Sequence, residues 1–162
     1  MKAYNEYRIE LKWALIFSAM SLLWMALEKI TGLHDVHINL HPVITNLVAI
    51  PAILVYVLAL RDKKKNFYAG QMNYLQGLIS GLIMTAIVTI LSPLMLYIVF
   101  TFISPGFFEQ IISYSLSHQL MPEQAARNYF NLRNYIQQAL IGTPFMGLLT
   151  TAIVVYFIRT RP

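Results

Sequence analysis

The sequence has no cysteine and little charge: only 12% of its 162 residues are Asp, Glu, Lys or Arg, about half the share of a soluble domain. Without cysteine there are no thiolate nucleophiles, no cysteine-ligated clusters and no disulfide framework, and the redox compartment stays unread. What charge there is avoids the middle of the chain, since positions 66–108, between Lys65 and Glu109, carry no Asp, Glu, Lys or Arg. No buried element of a soluble core needs an uncharged run of that length. With 57% hydrophobic residues and a mean hydropathy of +0.57, the composition excludes a soluble enzyme and a disordered tail. The expected solvent is lipid.

A bilayer core of about 30 Å takes about 20 helical residues, because each backbone amide in hydrocarbon has to be satisfied within its own helix. Four segments meet that length: 13–30, 42–60, 75–103 and 136–158. The first is short between Lys12 and Glu28, but flanking lysines snorkel and extend it; Asn5 is its expected N-cap and Gly32 its C-cap. Lys2, Arg8 and Lys12 ahead of an apolar run resemble a signal peptide, yet the run ends in Glu28-Lys29 without a small-residue cleavage site. It reads as an uncleaved helix. The second starts with Pro42, tolerated in a first turn, and ends at the charges of 61–65. The third is longer than a perpendicular span and closes at Pro105-Gly106; the fourth stops at Arg159. The fold expected is all-α, one transmembrane domain over 1–162. It is an up-down-up-down bundle of four transmembrane helices with an interfacial helical segment, 106–135, between helices three and four.

Orientation follows from the basic residues. Lys2, Arg8, Lys12, Arg61, Lys63, Lys64, Lys65, Arg159 and Arg161 fall on one side of the four spans, and only Lys29, Arg127 and Arg133 on the other. The positive-inside rule then puts both termini in the cytoplasm of a bacterial inner membrane. The net charge of +5 is therefore a topology signal. The basic stretch 61–65 lacks interleaved stacking aromatics and belongs to no recognition fold, so no nucleic-acid partner is expected.

Helices in lipid associate through close packing, and small residues every four positions mark contact faces. Gly77, Gly81, Thr85 and Thr89 keep that spacing in span three, and Ala139, Thr143, Gly147 and Thr151 keep it in span four; the two ladders are expected to face each other. Pro51, Pro93 and Pro144 each remove one N–H and free the carbonyls of Leu47, Thr89 and Leu140, with kinks as the expected result.

The loop after span one holds three of the four histidines. His34, His37 and His41 would align on one face of a helical turn, with Asp35 or Glu28 in support, and imidazole plus carboxylate is the donor set of Zn, Cu or Ni sites. The competing reading has His41 capping span two beside Pro42 and the remaining groups simply hydrated. No cofactor is expected apart from that candidate ion. Between spans three and four, Phe107, Phe108, Ile111, Ile112 and Tyr114 share one helical face, which suits a helix lying on lipid or on the bundle top. Pro122-Glu123 starts another helix. If it ran unbroken into span four it would project Ala126, Tyr129, Leu132 and Tyr135 above the membrane.

The stretches Trp13–Asp35 (WALIFSAMSLLWMALEKITGLHD), Thr45–Lys64 (TNLVAIPAILVYVLALRDKK), Gln76–Pro93 (QGLISGLIMTAIVTILSP) and Tyr129–Leu132 (YFNL) resemble a family of small bacterial membrane proteins catalogued as domain of unknown function 4199. The resemblance covers nearly the whole chain. It implies an integral bacterial membrane protein with four helices and carries no activity, ligand or catalytic residue.

With no nucleophile–base pair, no nucleotide loop and no mid-membrane carboxylate, an enzyme is not expected. The leading reading is a non-enzymatic accessory, interaction or assembly component of the membrane. Its partners would be the bilayer and a protein or second copy met through helix faces or the outer segment. The alternatives are an oligomeric transporter or channel subunit, and a metal-dependent membrane enzyme using the loop from His34 to His41.

Overall fold

The computed structural model describes residues 2–160, with side chains from Tyr7 onward; Arg161 lies outside the described residues, as does the side chain of Asn5. Six helices account for most of the chain, and no strand occurs among the described residues. Helix α1 runs Lys2–Ile30. Helix α2 covers His41–Asn66, with a 3₁₀ turn at Thr45–Val48, and α3 covers Tyr74–Ile103, with a π segment at Val99–Ile103. Helices α4 (Phe107–Ser117) and α5 (Glu123–Tyr129) follow, and α6 (Leu132–Ile158) ends the bundle. The four long helices α1, α2, α3 and α6 are each long and apolar enough to cross a membrane. They alternate in direction and gather the lysines and arginines of 8–12, 61–65 and 159 at one end, called here the basic end. The histidine-bearing turn and α4 lie at the other, the histidine end.

The helices run past the apolar segments that announce them. Helix α1 begins before Asn5, the expected cap, and α2 continues through the lysines to Asn66, because a helix need not stop where hydrocarbon does. Local signals set other ends. Asn73 and Gln76 form a reciprocal capping box at the start of α3, each side chain accepting the other's backbone N–H at 2.9 Å, which satisfies two donors that a helix start leaves open. Within α3, Pro93 frees the Thr89 carbonyl, and the Ser92 hydroxyl donates to it at 2.8 Å; a hydroxyl is what makes proline tolerable at membrane depth. Ahead of Pro51 the chain adopts the Thr45–Val48 3₁₀ turn, shifting the hydrogen-bond pattern where proline cannot donate.

The most extensive interface joins α3 to α6. It is antiparallel and interlocked. A Cβ built on Gly77 would fall 2.8 Å from Val155, one on Gly81 2.2 Å from Thr151, and one on Gly147 2.3 Å from Thr85. Glycine stands opposite a β-branched side chain at each step, so the backbones approach as closely as small residues permit. Thr85 turns its hydroxyl to its own helix, donating to the Gly81 carbonyl at 2.8 Å, and meets the Tyr56 hydroxyl of α2 at 2.8 Å. Toward the histidine end the interlock opens. Thr89 folds back on the Thr85 carbonyl, while Ala139 and Thr143 line two adjoining cavities, of about 500 Å³ and about 230 Å³, shared with Phe17 of α1 and Val48 of α2.

At the basic end two charges that the sequence places outside the spans are inside the protein. Glu10 of α1 and Lys63 of α2 pair at 2.8 Å, with side chains 2% and 3% exposed. The Ser80 hydroxyl of α3 donates to the same Glu10 oxygen at 2.7 Å. The Asp62 carboxylate accepts from the Trp13 indole at 2.7 Å and pairs with Lys12. Lys64 donates to the Ile158 carbonyl at 2.7 Å, a cation on the negative end of α6.

Candidate functional site

The end of α1 builds the site. Gly32 takes φ +78°, and Leu33 donates to the Glu28 carbonyl at 2.9 Å while Gly32 donates to Lys29 at 3.1 Å. This is the paired-bond helix ending that requires a left-handed residue, the conformation glycine adopts without penalty. It reverses the chain over its own last turn, so His34, six residues beyond Glu28, returns to sit against it. A succession of turns then carries the backbone to His41 at the start of α2.

Three side chains converge there: Glu28, His34 and His41, each offering one donor atom, all within 4.8 Å of one another. His34 Nε2 is 3.3 Å from Glu28 Oε2, and His41 Nε2 is 3.8 Å from the same oxygen. The His34 and Glu28 side chains are 0% and 2% exposed, that of His41 13%. The Trp24 indole N–H, one helical turn back, donates to the other carboxylate oxygen at 2.6 Å. Phe107, the first residue of α4, closes the group from above, its ring centroid 5.0 Å from that of His34 and 5.1 Å from that of His41.

His37 does not join. Its amide bonds the Gly32 carbonyl at 2.8 Å, which holds this segment in turns instead of the continuous helix that three aligned imidazoles need, and its side chain is exposed. Of the expected residues, the structure brings together His34, His41 and the supporting Glu28 and leaves His37 apart. Asp35 is also elsewhere: Lys29 donates to it at 2.6 Å, and this bond, followed by the one from the Val36 amide, holds its carboxyl below the ordinary value. His41 makes no side-chain cap to α2, so the helix-cap reading of that residue does not hold.

The segment between α3 and α6 covers this end. The apolar face of α4 lies on the bundle: Phe107, Ile111 and Ile112 are buried, and Phe107 packs with Val99, Phe100 and Ile38, while Phe108 and Tyr135 flank the cluster. The Phe100, Phe107, Phe108 and Tyr135 rings meet at centroid distances of 4.5–6.1 Å. No unbroken stalk rises into α6. The chain breaks at Phe130, and Asn131 caps α6 by accepting from the Asn134 amide at 2.9 Å. Ala126 is therefore fully buried and Leu132 and Tyr135 pack into the cap, leaving Tyr129 exposed.

Glu10, Lys63 and Ser80 escape a reading based on span length, but their periodicity carries a signal. Glu10, Ala14 and Ser18 continue one four-residue stripe, all buried, and Lys63 continues the buried face of Tyr56, Ala59 and Leu60. Trp24 and Phe107 give no comparable sign, because their roles depend on where the turn and the cap bring them.

Neither a search of curated proteins nor one of solved structures finds a match. A family description, protein of unknown function (DUF4199), matches residues 12–160, which takes in α1 from Lys12, the other three long helices, the histidine-bearing turn and the α4–α5 cap, and the chain belongs to that family.

Proposed function

We propose that the protein is a multi-pass component of a bacterial inner membrane, with both termini in the cytoplasm, acting in a non-enzymatic, accessory capacity through its histidine end. One observation carries this reading. The stretches 13–27, 43–60, 66–108 and 134–158, which make up the membrane-crossing parts of the long helices, carry no charged or imidazole side chain, and the cluster at the histidine end is covered by Phe107 with only the edge of His41 exposed. A transport path needs an ionisable relay or unwound backbone at membrane depth, and a hydrolytic site needs an approach for substrate. What faces outward instead is the exposed surface of α5, with Arg127, Asn128 and Tyr129, a surface suited to a protein partner or a second copy.

Orientation rests on the charge split and is tested with single cysteines, which need no background removal. Lys64→Cys should react with an impermeant maleimide only from the cytoplasmic side, and Asn39→Cys and Gln119→Cys only from the opposite side. Reaction of Gln119→Cys solely from the cytoplasm would overturn it. The accessory role is tested by photo-crosslinking from position 129 in native membranes, paired with ion and solute flux in proteoliposomes. A discrete adduct without flux supports it; robust flux without an adduct replaces it with a transport subunit.

A further inference from the structure

Glu28 is a carboxylate out of water, held by neutral donors, the Trp24 indole and the Thr45 side chain, and faced by no fixed cation. It is 2% exposed, and among the described residues its only charge partners within 4.0 Å are the two imidazoles, since the neighbouring Lys29 is turned to Asp35. The imidazoles are themselves incompletely satisfied: His34 Nδ1 and His41 Nε2 are buried without hydrogen-bond partners. Buried polar atoms that lack partners cost stability and call for an occupant. A proton shared between Glu28 and one imidazole balances the charge but leaves the His41 nitrogen unused. A cation on the three facing donor atoms balances the carboxylate and uses that nitrogen.

We propose that Glu28, His34 and His41 bind one divalent transition-metal ion of the Zn(II) type. Two imidazole nitrogens and one carboxylate oxygen are a recurrent zinc donor set, whereas Mg(II) and Ca(II) take oxygen ligands and Cu(I) favours the sulfur that this site lacks. The three donor atoms lie within 4.8 Å of one another and draw together to close on an ion. Ligands about 2.0–2.1 Å from a tetrahedral ion stand about 3.3 Å from one another. His34 Nε2 and Glu28 Oε2 are already 3.3 Å apart, and His41 Nε2 is 3.8 Å from that oxygen. His41, the least buried of the three, supplies the remaining movement. Trp24 holds the other carboxylate oxygen, the type of supporting contact that fixes a metal ligand in orientation, and Thr45 is a further partner of the carboxylate. Water takes the fourth position beneath Phe107. His34 Nδ1 keeps no partner in either state. The ion ties the last turn of α1, the following turn and the first residue of α2, so it fastens the surface on which α4 sits. This site goes beyond the role proposed above and does not depend on orientation.

The experiment uses the tag-free full chain in detergent, stripped with chelator, desalted and exposed to Zn(II) alone and to Co(II) alone. Wild type and the controls His37→Ala and His118→Ala should each retain about one Zn(II) per chain after desalting, with a Tm raised above the metal-free form. His41→Gln and Glu28→Gln should bind at least about tenfold more weakly and lose the Tm rise. Co(II)-loaded wild type should show the intense visible bands of a four-coordinate ion with nitrogen ligands. That readout decides the matter even where a variant does not fold. Wild type that retains neither metal, Co(II) held with only the weak bands of a hydrated ion, or equal Zn(II) retention by folded His41→Gln would each overturn the site.

Discussion

Gly81→Ala is the smallest change that tests the α3–α6 interface. Its new Cβ would lie 2.2 Å from Thr151 Cγ2, 2.6 Å from Oγ1 and 2.9 Å from Cβ, against ordinary contact at 3.4 Å or more. Rotating Thr151 relieves at most one of the first two clashes, because its two branches always fill two of the three staggered positions about Cβ. The helices must therefore part by about 0.8 Å if Thr151 turns and by about 1.2 Å if it does not. Separation at this step also loosens Gly147 against Thr85 one turn along and the Tyr56–Thr85 hydrogen bond beyond it. Overpacking of this kind costs about 1–3 kcal/mol, and each kcal/mol lowers Tm by about 2–4 °C in a chain of this length. Gly142→Ala is the matched control, since a Cβ there meets nothing within 4 Å. Gly81→Ala combined with Thr151→Gly transfers the side chain from one helix to the other and should recover much of the loss, a coupling within the 0.5–3 kcal/mol that touching residues show. The assay is thermal unfolding in one detergent, followed by size-exclusion fluorescence. Equal melting of Gly81→Ala and Gly142→Ala, or no recovery in the double variant, would refute the interlock.

Lys63→Met should strand Glu10 in the protein interior and cost about 3–5 kcal/mol, whereas Glu10→Leu with Lys63→Met should regain most of it, because a buried pair is harmed more by losing one member than both; Tm of the two variants measures the difference. Gln119 holds φ +53° at a helix ending of the same form as that at Gly32, with Leu120 donating to Ser115 at 2.9 Å and Gln119 to Leu116 at 3.0 Å. Gln119→Gly should therefore raise stability by about 0.5–1 kcal/mol, and an unchanged or lowered Tm with slower proteolysis of the α4–α5 connection absent would count against that backbone assignment.

The four long helices are legible in the sequence because hydrocarbon imposes a length that few other environments require. Their ends are not, since the residues that stop an apolar run do not stop a helix. Glu10 and Lys63 look like flanking charges on a linear reading and become a buried pair only when two helices and Ser80 meet. The ladder residues illustrate the same limit. Spacing alone identifies faces, but Gly77, Gly81 and Thr85 interlock with α6 while Ala139 and Thr143 look onto cavities, and that difference lies in how two helices diverge. At the histidine end, helical spacing selects His34, His37 and His41. The turn after Gly32 instead brings back Glu28, whose position at the end of α1 relative to His34 depends on one left-handed residue.

The two ends of the bundle are consequently held by different physics. At the basic end, from Gly77 to Gly147, backbone stands against backbone, and stability follows from contacts too close to admit any added atom. Toward the histidine end, a cavity of about 230 Å³ lies between α3 and α6 and one of about 500 Å³ between α6, α1 and α2, where unfilled space forfeits the dispersion contacts that close packing would supply. Cohesion there passes to side chains: the ring cluster around Phe107, the Asn131 cap of α6, and the Glu28–His34–His41 group that links α1 to α2. Phe107 belongs to two of these, as a member of the aromatic cluster and as the cover over the imidazoles. Anything that rearranges Glu28 and its histidines therefore acts on the seat of α4, and through it on the surface of α5, without having to move the interlocked helices beneath.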